Sequence, residues 1–175
     1  MQTLKLLVLF GAVLVGACAP KPAVNSGELK WMTLDEVAVS MQQQKKPVLI
    51  DLYTDWCGWC KVMDKKTYSN KNVSSYLAEK FYAVKLDAET RSAISWNGKT
   101  FAYNEGYRTN DFAIYLTRGQ LSYPTTVIIP ASGVPQAIPG YMAPAEFELI
   151  AKYFGEGNFE KIPFDQFRAT FKSNW

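Results

Sequence analysis

The segment Val48-Leu49-Ile50-Asp51-Leu52-Tyr53-Thr54-Asp55-Trp56-Cys57-Gly58-Trp59-Cys60-Lys61 constrains this chain more than any other. An apolar run rich in branched residues over 48–53 reads as a buried strand, and the pattern after it predicts a helix over 57–66. A strand thus delivers two cysteines to the start of a helix. The first turn of a helix leaves backbone N–H groups unpaired and carries the positive end of the macrodipole, so a thiolate at Cys57 is stabilised there. Lowering a thiol's pKa turns a poor nucleophile into a usable one at neutral pH. Cys60, one turn on, is spaced to attack a mixed disulfide formed at Cys57 and release the partner.

Two bland uses of the pair compete with this one. A disulfide closing so short a loop removes little chain entropy, which makes it a poor staple. Half of a zinc site needs a second pair of sulfur or nitrogen ligands, yet the chain has 3 cysteines and 0 histidines. The missing histidine also removes His-based general bases and the Cys-x-x-Cys-His haem attachment pattern. No metal or organic cofactor is expected. A net charge of +3 gives no case for nucleic-acid binding.

The odd cysteine, Cys18, follows an early positive charge at Lys5 and an apolar run over 6–15 that is too short to span a bilayer. Leu14-Val15-Gly16-Ala17-Cys18 resembles the bacterial lipoprotein signal, which implies lipidation at Cys18 after loss of residues 1–17. An ordinary cleaved signal and an uncleaved anchor remain alternatives. Residues 18–28, with Pro20 and Pro22, read as a tether. Thr33-Leu34-Asp35-Glu36 has the form of a capping box and predicts a helix to about Gln44. Asn70 or Asn72 is placed to cap the next helix, and 82–87 alternates as a strand. Residues 88–109 read as an insertion, with Asn97-Gly98 between two short runs as a hairpin signal. A helix over 111–116, strands over 125–129 and 134–138, and a helix over 144–154 follow. Residues 156–175 form a C-terminal extension, expected as a short helix or strap.

Taken together, Trp56-Cys57-Gly58-Trp59-Cys60-Lys61, Asp51 six positions earlier, Lys85 on the next strand and Tyr123-Pro124-Thr125 resemble the thioredoxin superfamily, in particular its exported bacterial members. The resemblance covers about residues 29–154 of a domain bounded at 29–155, with the hairpin insertion and the C-terminal extension outside the common core. It implies an α/β thioredoxin fold, a central mixed sheet flanked by helices, and the activity of a thiol:disulfide oxidoreductase. It further implies Cys57 as nucleophile, Cys60 as resolving thiol, Asp51 as the buried acid that moves the Cys60 proton, and Lys85 as the residue that tunes Asp51. Pro124, in cis, would bring the Tyr123 backbone beside the dithiol to pair with a substrate strand. Trp59 departs from the family pattern, where proline is usual, so the redox direction does not carry over. Asp51 with Lys85 tilts it toward reduction, because the family's strong oxidants generally lack that pair.

The residues themselves leave some choices open. Asp51 could be a tolerated polar residue at a sheet edge, Lys85 a solvent-facing strand lysine, and Pro124 an ordinary trans proline at a strand entry. Trp56, Trp59 and Tyr123, with Gly58 between the cysteines, read as a recognition surface rather than core. Trp96, Phe101, Tyr103 and Tyr107 read as a satellite core under the insertion, with a partner-binding face as the second option.

The function expected is exchange with exported protein disulfides or dithiols by a lipid-anchored protein facing the periplasm. A redox partner, for instance a membrane-embedded electron transporter, would recycle it. The rivals are a non-enzymatic thioredoxin-fold binding or chaperone module and a thiol peroxidase. The second lacks a recognisable peroxide-activating Thr/Arg arrangement around Cys57.

Overall fold

The computed structural model describes residues 29–175; the expected signal, Cys18 and tether lie outside them. Helix α1 (Leu34–Gln43) begins at the expected capping box. Thr33 accepts from the Glu36 N–H at 3.2 Å, and Glu36 accepts from the Thr33 N–H at 2.8 Å. Strand β1 (Val48–Tyr53) follows. Helix α2 (Gly58–Met63) runs into a π-helical turn (Asp64–Tyr68), then α3 (Lys71–Lys80), capped by Asn70, leads to β2 (Tyr82–Asp87). The insertion holds two hairpins, β3 (Ile94–Trp96) with β4 (Lys99–Phe101) and β5 (Tyr103–Asn104) with β6 (Thr109–Asn110). Asn97 and Gly98 form the expected turn with φ of 49° and 74°. Helix α4 (Asp111–Thr117), strands β7 (Thr125–Ile129) and β8 (Gln136–Pro139), and helix α5 (Pro144–Gly155) complete the main body. After a 3₁₀ turn (Asn158–Glu160), α6 (Phe164–Thr170) leads into residues 171–175.

The main sheet has the order β2-β1-β7-β8, parallel between β1 and β2 and antiparallel elsewhere. Its two faces follow from the alternation of β1. Val48, Ile50 and Leu52 pack with Val37 of α1 and Phe112 and Leu116 of α4. Leu49 packs on the opposite face with Met63, Tyr68, Leu77 and Phe147. Asp51 shares the parity of Leu49, so it leaves the sheet toward the layer that contains α2.

Three expectations need correction. The dithiol helix changes to π geometry at Asp64, where the Ser69 N–H reaches back five residues to the Asp64 carbonyl at 3.0 Å. This turn buries both Thr67, bonded to the Met142 carbonyl at 2.6 Å, and Tyr68. Strand β8 starts at Gln136 rather than 134, beyond Pro135, which has no N–H for the ladder. The insertion aromatics are not a satellite core: Trp96 and Phe101 join the main core through Phe112, at 5.9 and 5.1 Å between ring centroids, while Tyr107 is 69% exposed. The C-terminal extension is both helix and strap. Glu148, fully buried on α5, accepts from the Ser173 hydroxyl at 2.6 Å and from the Asn174 and Trp175 N–H groups at 2.7 and 3.1 Å. Trp175 packs on Tyr76 of α3.

Candidate active site

Strand β1 ends at Tyr53, and a turn carries the chain to Cys57, whose N–H bonds the Thr54 carbonyl at 3.1 Å. Cys57 occupies the N-cap of α2. Its sulfur accepts the Cys60 N–H at 3.0 Å, the role that a serine or aspartate oxygen plays at other helix starts. The two cysteines form a disulfide with a Cα–Cα distance of 5.3 Å, and each is 4% exposed.

One turn beyond Cys60, at Asp64, the helix reaches an ionic cluster. Asp51 and Lys85 are register partners in the β1–β2 ladder, so both side chains project from the same face and meet at 2.9 Å. Lys85 is therefore not a solvent-facing lysine. It also bridges to Asp64 of the π turn. The rings of Trp31, Tyr53 and Tyr68 surround its ammonium at 5.1, 5.3 and 5.9 Å. Burial pushes the Asp51 carboxyl above its ordinary range, with Lys85 pulling the other way and Asp64 adding repulsion. Burial opposes the Lys85 charge, yet the Asp51 and Asp64 carboxylates outweigh it and hold the ammonium above its usual value. Among the described residues, the buried Asp51 oxygen Oδ1 has no hydrogen-bond partner. A cleft of about 470 Å³, lined by Trp31, Asp64, Tyr68 and Lys85, opens beside this cluster.

An aromatic surface surrounds the disulfide. Trp56 and Trp59 are 67% and 62% exposed. Trp56 stands edge-on to Tyr123 at 5.8 Å and donates its indole N–H to Glu89 at 3.0 Å; Trp59 lies 5.5 Å from Tyr141. The Tyr123–Pro124 bond is cis, and Pro124 is buried. Gly58 is exposed with no atom near the place a Cβ would take. The structure thus sets Trp56, next to Cys57, against Tyr123, while Asp51 and Lys85 meet on the face of β1 and β2 that looks toward α2. Sequence reasoning missed Asp64, Glu89 and Tyr141. For Asp64 a signal existed, since it follows Cys60 by four residues on the same helical stretch and so shares its face.

A family model described as thioredoxin-like matches residues 30–131, more than half of the chain. The chain belongs to the thioredoxin-like family. Among solved structures, DsbH oxidoreductase has a TM-score of 0.54 at 15% identity, covering 85% of this chain and 96% of that one. A thioredoxin from Thermus thermophilus scores 0.52 at 21% identity, covering 71% and 85%. A thioredoxin-fold protein from Helicobacter pylori scores 0.54 at 17% identity, covering 71% and 81%. These likenesses concern the fold. Curated relatives include the thiol:disulfide interchange protein DsbD of Yersinia pestis (strain Pestoides F), 51% identical over 41 residues, which is 23% of this chain and 7% of that protein. DsbD of Escherichia coli (strain K12) is 44% identical over 48 residues, 27% of this chain and 8% of that protein. This thioredoxin-like chain therefore spans less than a tenth of the length of those relatives.

Proposed function

We propose that this protein is a membrane-tethered thiol:disulfide oxidoreductase that exchanges disulfides with exported proteins of the bacterial cell envelope and works in the reducing direction. The observation that carries the reading is the Cys57–Cys60 disulfide at the start of α2, with exposed indoles and the Tyr123–Pro124 loop around it. Similarity to proteins named for thiol:disulfide interchange supports it.

In the reduced protein, the Cys57 thiolate attacks one sulfur of a substrate disulfide. The new bond joins Cys57 to that sulfur as the substrate S–S bond breaks, and the second substrate sulfur leaves as thiolate. Cys60, deprotonated by Asp51, then attacks the Cys57 sulfur, closes the Cys57–Cys60 disulfide and releases the first substrate sulfur. Two electrons pass from the dithiol to the substrate, and the released thiolates take up the protons. A carboxyl held above its ordinary range by burial is suited to taking a thiol proton and returning it. Lys85 tunes that carboxyl, and Asp64 shares the lysine. Gly58, without a side chain, leaves the approach to Cys57 open, while Trp56, Trp59, Tyr123 and Pro124 contact the substrate chain. No organic cofactor or metal takes part in these steps.

Lipid at Cys18 would hold the domain at the membrane facing the periplasm, and a membrane-embedded electron transporter would return it to the dithiol. The reducing direction rests on the Asp51–Lys85 pair. Equilibration of the full chain in glutathione buffers tests it. A reduction potential near the thioredoxin value of about −270 mV fits a reductase, whereas one near about −120 mV marks a disulfide donor and overturns that direction.

A further inference from the structure

Three carboxylates stand together on the Trp56 side of the disulfide. Asp55 precedes Trp56, Asp87 ends β2, and Glu89 accepts the Trp56 indole N–H at 3.0 Å. The Glu89 N–H donates in turn to Asp87 at 3.0 Å, which fixes the loop between them. Burial holds the Asp87 carboxyl above its ordinary range; the hydrogen bond from the Glu89 N–H pulls the other way, and Asp55 and Glu89 add repulsion. Among the described residues none of the three has a lysine or arginine within salt-bridge distance, although the chain carries a net charge of +3. Next to them lies the aromatic surface of Trp56 and Trp59, two of the most exposed large apolar side chains.

We propose that this aromatic surface docks an extended, cysteine-bearing segment of a partner protein whose residues beside the reacting cysteine are cationic. Charge complementarity selects that occupant. A lysine or arginine lying over the exposed Trp56 face gains the attraction of the ring and of the unpaired carboxylates behind it. An acidic neighbour at the same place meets only repulsion, so the surface discriminates as well as attracts. Glu89 does two things here: its hydrogen bond orients the indole, and its charge favours the cation. Glu89, at the start of the insertion, thereby helps to set which disulfides the dithiol meets. The inference rests on the oxidoreductase reading, since it names the substrate class of that same site.

The test uses the full chain, reduced and freed of reductant, with three symmetric peptide disulfides that differ only in the residues flanking cysteine: lysine, serine or glutamate. Each reaction oxidises the Cys57/Cys60 dithiol and reduces one peptide disulfide to two thiols. Rates are followed by tryptophan fluorescence and divided by the rates of the same peptides with dithiothreitol, which removes the intrinsic reactivity of each peptide. The lysine peptide is expected to exceed the glutamate peptide by about tenfold or more at low ionic strength, with the gap closing in 1 M salt, where the screening length is about 3 Å. The double change Glu89→Gln with Asp55→Asn keeps an acceptor for the indole, removes two charges and should narrow the gap at least about threefold, by weakening the steering charge. Glu160→Gln, an exposed change beyond α5, should leave the gap as it is. Equal normalised rates for the three peptides, a faster glutamate peptide, or a gap indifferent to salt overturns the charge preference while leaving the oxidoreductase reading intact. If none of the peptides is reduced, the oxidoreductase reading falls and the preference with it.

Discussion

Replacing Asp51 by asparagine removes a charge from the face of β1 that looks toward α2 at nearly constant shape. The Asp51 side chain is 2% exposed, one oxygen meets Lys85 at 2.9 Å, and the other is buried with no hydrogen-bond partner among the described residues. Burial is the largest influence on its carboxyl and raises it, while in the unfolded chain the same group titrates near 3.9, on the order of an ordinary aspartate. The sign follows from linkage. A group that binds its proton more tightly when folded contributes its full stability below the unfolded value, and that contribution is lost as pH rises through the folded value. At pH 7 the wild-type protein therefore carries either a desolvated charge or a proton taken up at a cost. Asparagine carries neither, and Lys85, 26% exposed and still paired with Asp64, is not left as an isolated buried charge. Asp51→Asn should stabilise the oxidised protein by about 2 kcal/mol at pH 7, on the order of the cost of keeping an incompletely partnered carboxylate buried. For a chain of this size that is a rise in Tm of roughly 4–8 °C. Urea unfolding at pH 4 and pH 7 measures it, with the advantage shrinking toward pH 4. A variant less stable than wild type at pH 7, or a difference independent of pH, would refute the reasoning.

The other expectations are smaller in scope. Lys85→Met leaves Asp51 and Asp64 facing each other without their shared cation; a loss of about 1–3 kcal/mol at pH 7 is expected, below the full cost of a broken buried pair because Lys85 is partly exposed, and a melting curve checks it. Glu148→Ala removes the acceptor of Ser173, Asn174 and Trp175 and the partner of Lys152, so it should cost about 2–4 kcal/mol and free residues 171–175 to proteases. Burial pushes the Glu148 carboxyl up, but Lys152 and the three donors outweigh it and hold the group below its ordinary value, so its stabilisation should fade only as pH falls through that lowered value. Asn70→Ala deletes the cap that accepts the Asn72 and Val73 N–H groups and should cost about 1 kcal/mol by urea unfolding.

Strand β1 and the capped start of α1 were legible because each rests on local chemistry: an apolar run and a Thr33–Glu36 reciprocal cap. The Asn97-Gly98 turn was legible for the same reason. The direction of Lys85 was not, because strand alternation gives parity but not the face; that required the register with Asp51. Tyr107 and Trp96 look alike as insertion aromatics, and only the placement of Phe112 decides that one is core and the other surface. The hold of Glu148 on residues 173–175 joins segments 25 to 27 residues apart and leaves no periodic trace. Glu89 was hidden in the same way, since its partner Trp56 lies 33 positions earlier.

The central claim is that Cys57 forms the mixed disulfide and Cys60 resolves it. The most direct measurement is to reduce the Cys60→Ser variant, expose it to an oxidised protein substrate and map adducts by mass spectrometry. The account predicts a stable mixed disulfide at Cys57, absent from the Cys57→Ser variant and short-lived in the wild-type protein. An adduct carried only by Cys60 in the Cys57→Ser variant, or none in any variant, would contradict it.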